Sequence, residues 1–228
     1  MNMTASSFLI FLMLSSPSSP IQFYTTLEKN CQIALEEAQT IPADRKKGLD
    51  QIVACVTTAL QNGQEAQLNF ICTHNSRRSQ LCQAWAFAAA QKYGLSQVRV
   101  FSGGTEATAC DARTVEALRR AGFQISIESD ADNPRYTLLC ADGGAALSLY
   151  SKTCDSPDNP TNNFCAILVC AQADEACPLV TGADLRIYHG YEDPKRADGQ
   201  ENESEVYDAA SRQIAAEMFY IFAMLTQG

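Results

Sequence analysis

One apolar segment that stops at a cysteine and continues into a helix limits the possible folds of this chain more than any other feature. The apolar residues of 68–71 predict a buried strand that ends at Cys72, and apolar residues then recur at helical spacing over 81–89. Ser76 is a suitable N-cap for that helix. A strand, a short loop and a helix in this order favour a parallel α/β sheet, which binds its ligand at the carboxyl ends of its strands.

The loop after Cys72 has the composition of an oxyanion site with a nucleophile at its base. Successive backbone N–H groups can point inward, and the helix N-terminus adds positive partial charge. Arg78 can hold two oxygens of a tetrahedral oxyanion with its planar guanidinium group. The same field favours the thiolate of Cys72, which is the reactive form, and Ser79 could donate a hydrogen bond to it.

Strands and helices alternate over the rest of the chain, which favours an α/β architecture. Two helices are predicted within 22–62, and a last helix at about 204–225 has one broad apolar face. The predicted strands are 67–72, 97–102, 124–127, a hairpin of 135–140 and 146–152, then 164–170 and 185–188.

These motifs resemble the low-molecular-weight protein tyrosine phosphatases and the thioredoxin-coupled arsenate reductases that share their fold. The family loop Cys-x-Gly-Asn-x-x-Arg-Ser stands here as Cys72, Thr73, His74, Asn75, Ser76, Arg77, Arg78 and Ser79. His74 replaces the family glycine. Segments 100–106, 111–123 and 192–194 also resemble family motifs, so the resemblance covers about 66–128 and 163–225.

The resemblance implies an open parallel sheet flanked by helices, with Thr73 to Ser79 binding the oxyanion. The chain is expected to divide into three parts. Residues 1–21 would be a leader or a disordered extension, residues 22–63 a helical extension outside the family pattern that serves as a cap or dimerisation arm, and residues 64–228 the α/β domain. An insertion at about 129–163 would carry the predicted hairpin.

A second motif follows the apolar run 164–170. Cys170 ends that run and Cys177 follows after a polar loop, and both spacing and neighbours resemble the redox loop of the arsenate reductases. The resemblance implies that Cys72 attacks arsenate, Cys170 attacks Cys72 and releases arsenite, and Cys177 attacks Cys170. Thioredoxin would reduce the final disulfide. An inert Cys170 is the alternative. A metal is not expected, because the spacing differs from that of structural zinc sites.

The resemblance also makes Asp193 the general acid, with a pKa raised by the nearby oxyanion. Without the resemblance, Glu192-Asp193-Pro194 would be read as an ordinary surface turn.

Composition limits the partners and the compartment. The net charge of −9 argues against a nucleic-acid partner. The apolar run 8–14 is too short to span a bilayer, so no membrane partner is expected either. It also lacks the preceding positive charge of a signal peptide. We expect a cytoplasmic protein whose remaining cysteines, of ten in all, are mostly free buried thiols. Export through a signal peptide is the alternative.

Three functions remain possible at this point. A thiol-based arsenate reductase is favoured by Cys170 and Cys177. A protein tyrosine phosphatase or small phosphomonoester hydrolase would use only Cys72, Arg78 and Asp193, through a phosphocysteine intermediate. A non-catalytic oxyanion-binding module would use the loop alone. No cofactor is expected for any of them.

Overall fold

The computed structural model of the protein describes residues 21–129, 131–177 and 179–227. Residues 1–20, which hold almost all of the predicted leader, lie outside the described residues. The helices are α1 (Thr25–Ala38), α2 (Ala43–Gln61), α3 (Arg78–Lys92), α4 (Ala112–Arg120), α5 (Ala171–Ala176) and α6 (Glu203–Leu225). The strands are β1 (Ala66–Cys72), β2 (Val98–Gly104), β3 (Gln124–Ser129), β4 (Arg135–Leu139), β5 (Ala146–Leu149), β6 (Phe164–Leu168) and β7 (Ala183–Tyr188).

Four strands form a parallel sheet in the order β2-β1-β6-β7. The central strand β1 is almost entirely buried and carries Cys72 at its carboxyl end. Its register places Cys72 beside Gly104 of β2, and Val169, just after β6, donates its N–H to Ile71 O at 2.8 Å. The predicted open parallel sheet flanked by helices is confirmed, and the loops that follow β1 and β6 emerge at the same edge.

The other three strands form a separate antiparallel sheet in the order β3-β4-β5. The alternation of strands and helices predicts that the strand at 124–127 joins the parallel sheet. In the structure this strand, β3, pairs with β4 and not with the parallel sheet. The short connection between β3 and β4 explains this, because a parallel pair needs a crossover of a dozen or more residues. Thr153, beyond β5, bridges to Gly104 and so joins this sheet to the edge of the first.

The N-terminal helical extension is present as α1 and α2. Helix α1 packs on α6, and α2 packs on α6 and on β1, β6 and β7. A disulfide between Cys55 of α2 and Cys165 of β6 joins the extension to the parallel sheet, with 6.5 Å between the two Cα atoms. The expectation that the cysteines outside the motifs would be free thiols is therefore wrong for this pair.

Within the described ranges, no helix combines the length and the apolar character that crossing a bilayer requires.

Candidate active site

The loop between β1 and α3 brings Cys72 and Ser79 together. The Sγ of Cys72 lies 3.0 Å from the Oγ of Ser79, and both residues are buried. Asn75 donates its side-chain N–H to the same Oγ at 2.8 Å. Because the hydroxyl oxygen of Ser79 accepts from Asn75, its proton is available for the sulfur of Cys72. Ser79 is thus placed as a hydrogen-bond donor to the nucleophile predicted for this loop.

Asn75 shapes the loop. Its backbone is left-handed, with φ of 48°, a conformation that Asn tolerates better than most residues. Its side-chain Oδ1 accepts the N–H of Lys152 at 3.0 Å, and its carbonyl accepts from Gln80 at 2.9 Å. The loop is thus held by α3 on one side and by the segment after β5 on the other.

Three other loop carbonyls also accept hydrogen bonds from neighbouring segments. Thr73 O accepts the N–H of Glu106 at 3.0 Å, His74 O accepts the hydroxyl of Ser151 at 2.7 Å, and Ser76 O accepts the N–H of Asp111 at 3.1 Å. These negative ends of the peptide dipoles are occupied by protein donors, so they do not face the position expected for an anion. The side chain of His74 pairs with Glu106 at 2.9 Å, at the exposed rim of the loop.

Both arginines of the loop reach Asp193. Arg78 donates to Asp193 Oδ2 at 2.8 Å and to Tyr191 O at 3.1 Å. Arg77 donates to Asp193 Oδ1 at 2.9 Å and to Asp111 Oδ2 at 3.3 Å. The sequence assigned both guanidinium groups to the oxyanion, whereas the structure directs Arg77 towards two carboxylates. Asp193 itself occupies one edge of the Arg78 fork.

The carboxyl group of Asp193 is held in its charged form. Burial alone would raise its pKa, but the hydrogen bond from Arg77 and the charge of Arg78 outweigh burial, so the pKa lies below its usual value. The rise in pKa predicted for Asp193 depends on a nearby oxyanion and stays a prediction. The sequence motif gave no sign that two arginines would contact Asp193.

Cys170 lies beside the Cys72 loop. Its Sγ is 3.5 Å from the Oγ1 of Thr73, the residue that follows Cys72. It also accepts the N–H of Ala173 at 3.4 Å, which makes it the N-cap of α5. The side chain is 1% exposed. The structure therefore brings the first two predicted redox cysteines to the same edge of the sheet.

Cys177 stands at the opposite end of α5 and is half-buried. A rise of about 1.5 Å per residue separates the Cα atoms of Cys170 and Cys177 by ~10 Å, whereas a disulfide needs less than ~7 Å. Arg186 of β7 holds this end of the helix, donating to Cys177 O at 2.8 Å and to Asp174 O at 2.7 Å. A disulfide between the two cysteines requires α5 to unwind.

One buried polar cluster next to the site has no counterpart in the sequence motifs. Arg45 of α2 donates to the carboxylate of Glu217 at 2.5 and 2.9 Å and lies 2.7 Å from His189 Nε2. Nothing in the local patterns could have paired residues so far apart in the chain. In the part of the chain that the structure describes, no group of His, Cys, Asp and Glu side chains is arranged to hold a metal ion.

Comparison with known proteins gives a consistent set of relatives. The family model of the low molecular weight phosphotyrosine protein phosphatases matches residues 67–136. An arsenate reductase of Bacillus licheniformis is 29% identical over 154 residues, which are 68% of this chain and 92% of that protein. An arsenate reductase of Bacillus subtilis is 29% identical over 134 residues, 59% of this chain and 78% of its own length.

Two solved structures are similar to this chain at lower sequence identity. A low molecular weight phosphotyrosine phosphatase from Vibrio cholerae aligns with a TM-score of 0.49 and 14% identity, covering 71% of this chain and 98% of its own. An arsenate reductase in the phosphate-binding state aligns with a TM-score of 0.43 and 17% identity, covering 70% of this chain and 98% of its own.

Proposed function

We propose that this chain, which belongs to the superfamily of the low-molecular-weight protein tyrosine phosphatases and arsenate reductases, is a cysteine-dependent enzyme that reduces arsenate. The position of Cys170 carries the proposal. Its sulfur is buried 3.5 Å from the Oγ1 of Thr73, the residue that follows Cys72, which supports a role as the second thiol, whereas ester hydrolysis needs no thiol there.

The first step is nucleophilic. The thiolate of Cys72 attacks the arsenic atom of arsenate, an oxygen leaves as water, and a covalent sulfur–arsenic bond forms. Ser79 and Asn75 stabilise the attacking thiolate through the hydrogen bonds described above. Arg78 holds the oxyanion, and Asp193 supplies the proton to the leaving oxygen.

The ion pair between Arg78 and Asp193 couples substrate binding to protonation of Asp193. An oxyanion that binds Arg78 competes with the carboxylate of Asp193 for the same guanidinium edge. The negative charge of an oxyanion on Arg78 offsets the guanidinium charge that lowers the pKa of Asp193, so that pKa rises. Substrate binding itself therefore favours the protonated acid that the reaction needs.

The second and third steps are thiol exchanges. The thiolate of Cys170 attacks the sulfur of Cys72, and the electron pair of the sulfur–arsenic bond passes to arsenic, which leaves as arsenite. Cys177 then attacks Cys170 and frees Cys72 as a thiol. The resulting Cys170–Cys177 disulfide receives two electrons from a dithiol reductant of the thioredoxin class.

A phosphotyrosine or small-ester phosphatase is the second candidate, and one observation favours it. Cys72, Arg78 and Asp193 form a complete hydrolytic set, while α5 keeps Cys177 ~10 Å from Cys170. In this reaction Cys72 would form a phosphocysteine that water resolves, and no electrons would be consumed.

Paired assays of the purified protein separate the two candidates. Arsenate reduction with thioredoxin should proceed in the wild type, should stop in Cys72→Ser, and should stall after one turnover in Cys177→Ser as a Cys72–Cys170 disulfide. Cys154→Ser is a matched control, because Cys154 is another half-buried free thiol. If Cys170→Ser and Cys177→Ser both cycle arsenate like the wild type while aryl phosphates are hydrolysed, the phosphatase function replaces the reductase.

We also propose thioredoxin as the reductant and the cytoplasm as the compartment, because the cascade needs a steady supply of reduced dithiol. The Cys55–Cys165 disulfide argues for a more oxidising compartment. Fractionation of cells that express the full chain, with detection of the protein in each fraction, decides between the two.

A further inference from the structure

The segment that carries the proposed acid, residues 189–193, is tied to the sheet at several points; we call it the acid segment. His189 donates its N–H to Leu168 O at 2.9 Å, and Tyr191 donates to Val169 O at 3.1 Å. Arg78 bonds Tyr191 O and then Asp193, as described above. These bonds fix the side of the acid segment that faces the Cys72 loop.

The other side of the acid segment is held by the N-terminal extension. Arg45 of α2 donates to Gly190 O at 3.2 Å and lies 2.7 Å from His189 Nε2. Arg45 and Arg78 therefore donate to the carbonyls of two consecutive residues, Gly190 and Tyr191. Glu217 of α6 completes the contact, because its Oε2 lies 2.7 Å from the same His189 nitrogen.

Helix α2 also approaches the acid segment through a glycine. A Cβ atom on Gly48 would lie 2.6 Å from His189 Nδ1, which is closer than side chains pack. Gly48 lies one turn after Arg45 and shares its face of the helix. Arg45 and Gly48, on one face of α2, thus both lie against the ring of His189.

The cluster is too deeply buried to be an incidental surface ion pair. Glu217 is 2% exposed and His189 is 5% exposed. Arg45 uses both edges of its guanidinium group, one towards the carboxylate and one towards the backbone, which a lysine could not reproduce. The sequence predicts a cap or dimerisation arm for the extension, and these contacts connect it to the acid segment.

We propose that Arg45 is a positioning residue for Asp193: it fixes the acid segment through Gly190, His189 and Glu217, and so gives the extension a part in the reaction. The inference rests on the proposed function, in which Asp193 is the general acid. Displacing a general acid by about 1 Å is enough to cost turnover strongly, even when the substituted residue is far from the reacting atoms.

The test compares Arg45→Met with Arg99→Met in the full chain. Arg99 is a suitable control, because its ion pair with Glu65 is exposed and it lies on β2. Amide hydrogen exchange should become at least about tenfold faster at residues 189–193 of Arg45→Met and stay unchanged in the control. The kcat of arsenate reduction or aryl phosphate hydrolysis should fall about tenfold, with KM little changed.

Two further variants keep the test decisive if Arg45→Met does not fold. Arg45→Lys keeps the charge next to Glu217 but loses the second contact, and Gly48→Ala pushes on the His189 ring from the same helix. Each should reproduce the faster exchange and the loss of kcat. Turnover that falls only in proportion to the folded fraction, or exchange equal to that of the wild type, overturns the inference.

Failure of the proposed function gives a different result. If Asp193→Asn leaves turnover intact, Asp193 is not the acid, whatever the exchange rates are. If Asp193→Asn loses turnover while the Arg45 variants keep both turnover and protection, only the positioning role of Arg45 is excluded.

Discussion

Replacing Arg186 by methionine should make helix α5, which separates Cys170 from Cys177, open more easily. Arg186 donates to Cys177 O, to Asp174 O and to the carboxylate of Asp174, at 2.5 to 2.8 Å. All three bonds must break before Cys177 can approach Cys170. Methionine keeps the length of the side chain but can make none of them.

The size of the effect follows from these contacts. Each hydrogen bond contributes ~1 kcal/mol net. The ion pair is partly exposed, at 27% and 32% for its two side chains, so solvent screening reduces it to less than ~1 kcal/mol. A total of about 2 kcal/mol corresponds to a ~30-fold larger population of the opened helix.

The assay follows the Cys170–Cys177 disulfide in a Cys72→Ser, Cys154→Ser background, which removes the proposed nucleophile and the other half-buried free thiol. The protein is exposed to oxidised glutathione, sampled over time, alkylated and mapped by peptide mass. Arg186→Met should form the bond ~30-fold faster than the parent if opening precedes the chemistry. Arg99→Met in the same background serves as the control. An unchanged or slower rate for Arg186→Met would refute the idea that Arg186 holds the helix closed.

Three other changes have defined outcomes. Asp193→Asn should lose about 100-fold in aryl phosphate turnover with poor leaving groups and much less with good ones, as steady-state kinetics would show. Cys55→Ser should lower the free energy of unfolding by about 2–5 kcal/mol in urea titrations, because the disulfide closes a loop of 110 residues. Burial would raise the pKa of Glu217, but hydrogen bonds from His189 and Arg45 lower it from 4.5 to about 2. The stability this supplies is complete above pH 4.5 and is lost as the pH falls towards 2, an acid loss of about 3 kcal/mol that Glu217→Gln should lack.

The architecture could be predicted because its signals are local. The apolar run before Cys72 and the helical spacing after it define one βα unit, and the alternation of such units leads to a parallel sheet. The same signals failed at β3. A strand pattern identifies a strand but not its partner, and the short connection to β4 decided the pairing in the structure.

Contacts between distant segments had no local signal. Arg45 and Glu217 are separated by 172 residues, and Cys55 and Cys165 by 110. Neither pair shares a periodic pattern, and each meets only after α2 has packed on the sheet and on α6. The contacts of Arg77 could not be predicted for the same reason, because its carboxylate partners, Asp111 and Asp193, come from two other loops.

Strand β6 and the residues directly after it carry two cysteines with opposite redox needs, five residues apart. Cys165 is oxidised, in its bond to Cys55, whereas Cys170 must be a thiolate for the proposed cascade. In the proposed cascade, the electron donor must therefore reduce the Cys170–Cys177 disulfide and leave the Cys55–Cys165 disulfide intact. The two disulfides differ in how accessible they are to a reductant. Cys165 is only 3% exposed, whereas Cys177 is half-buried at the end of α5. A protein-sized donor suits that selection better than a small thiol.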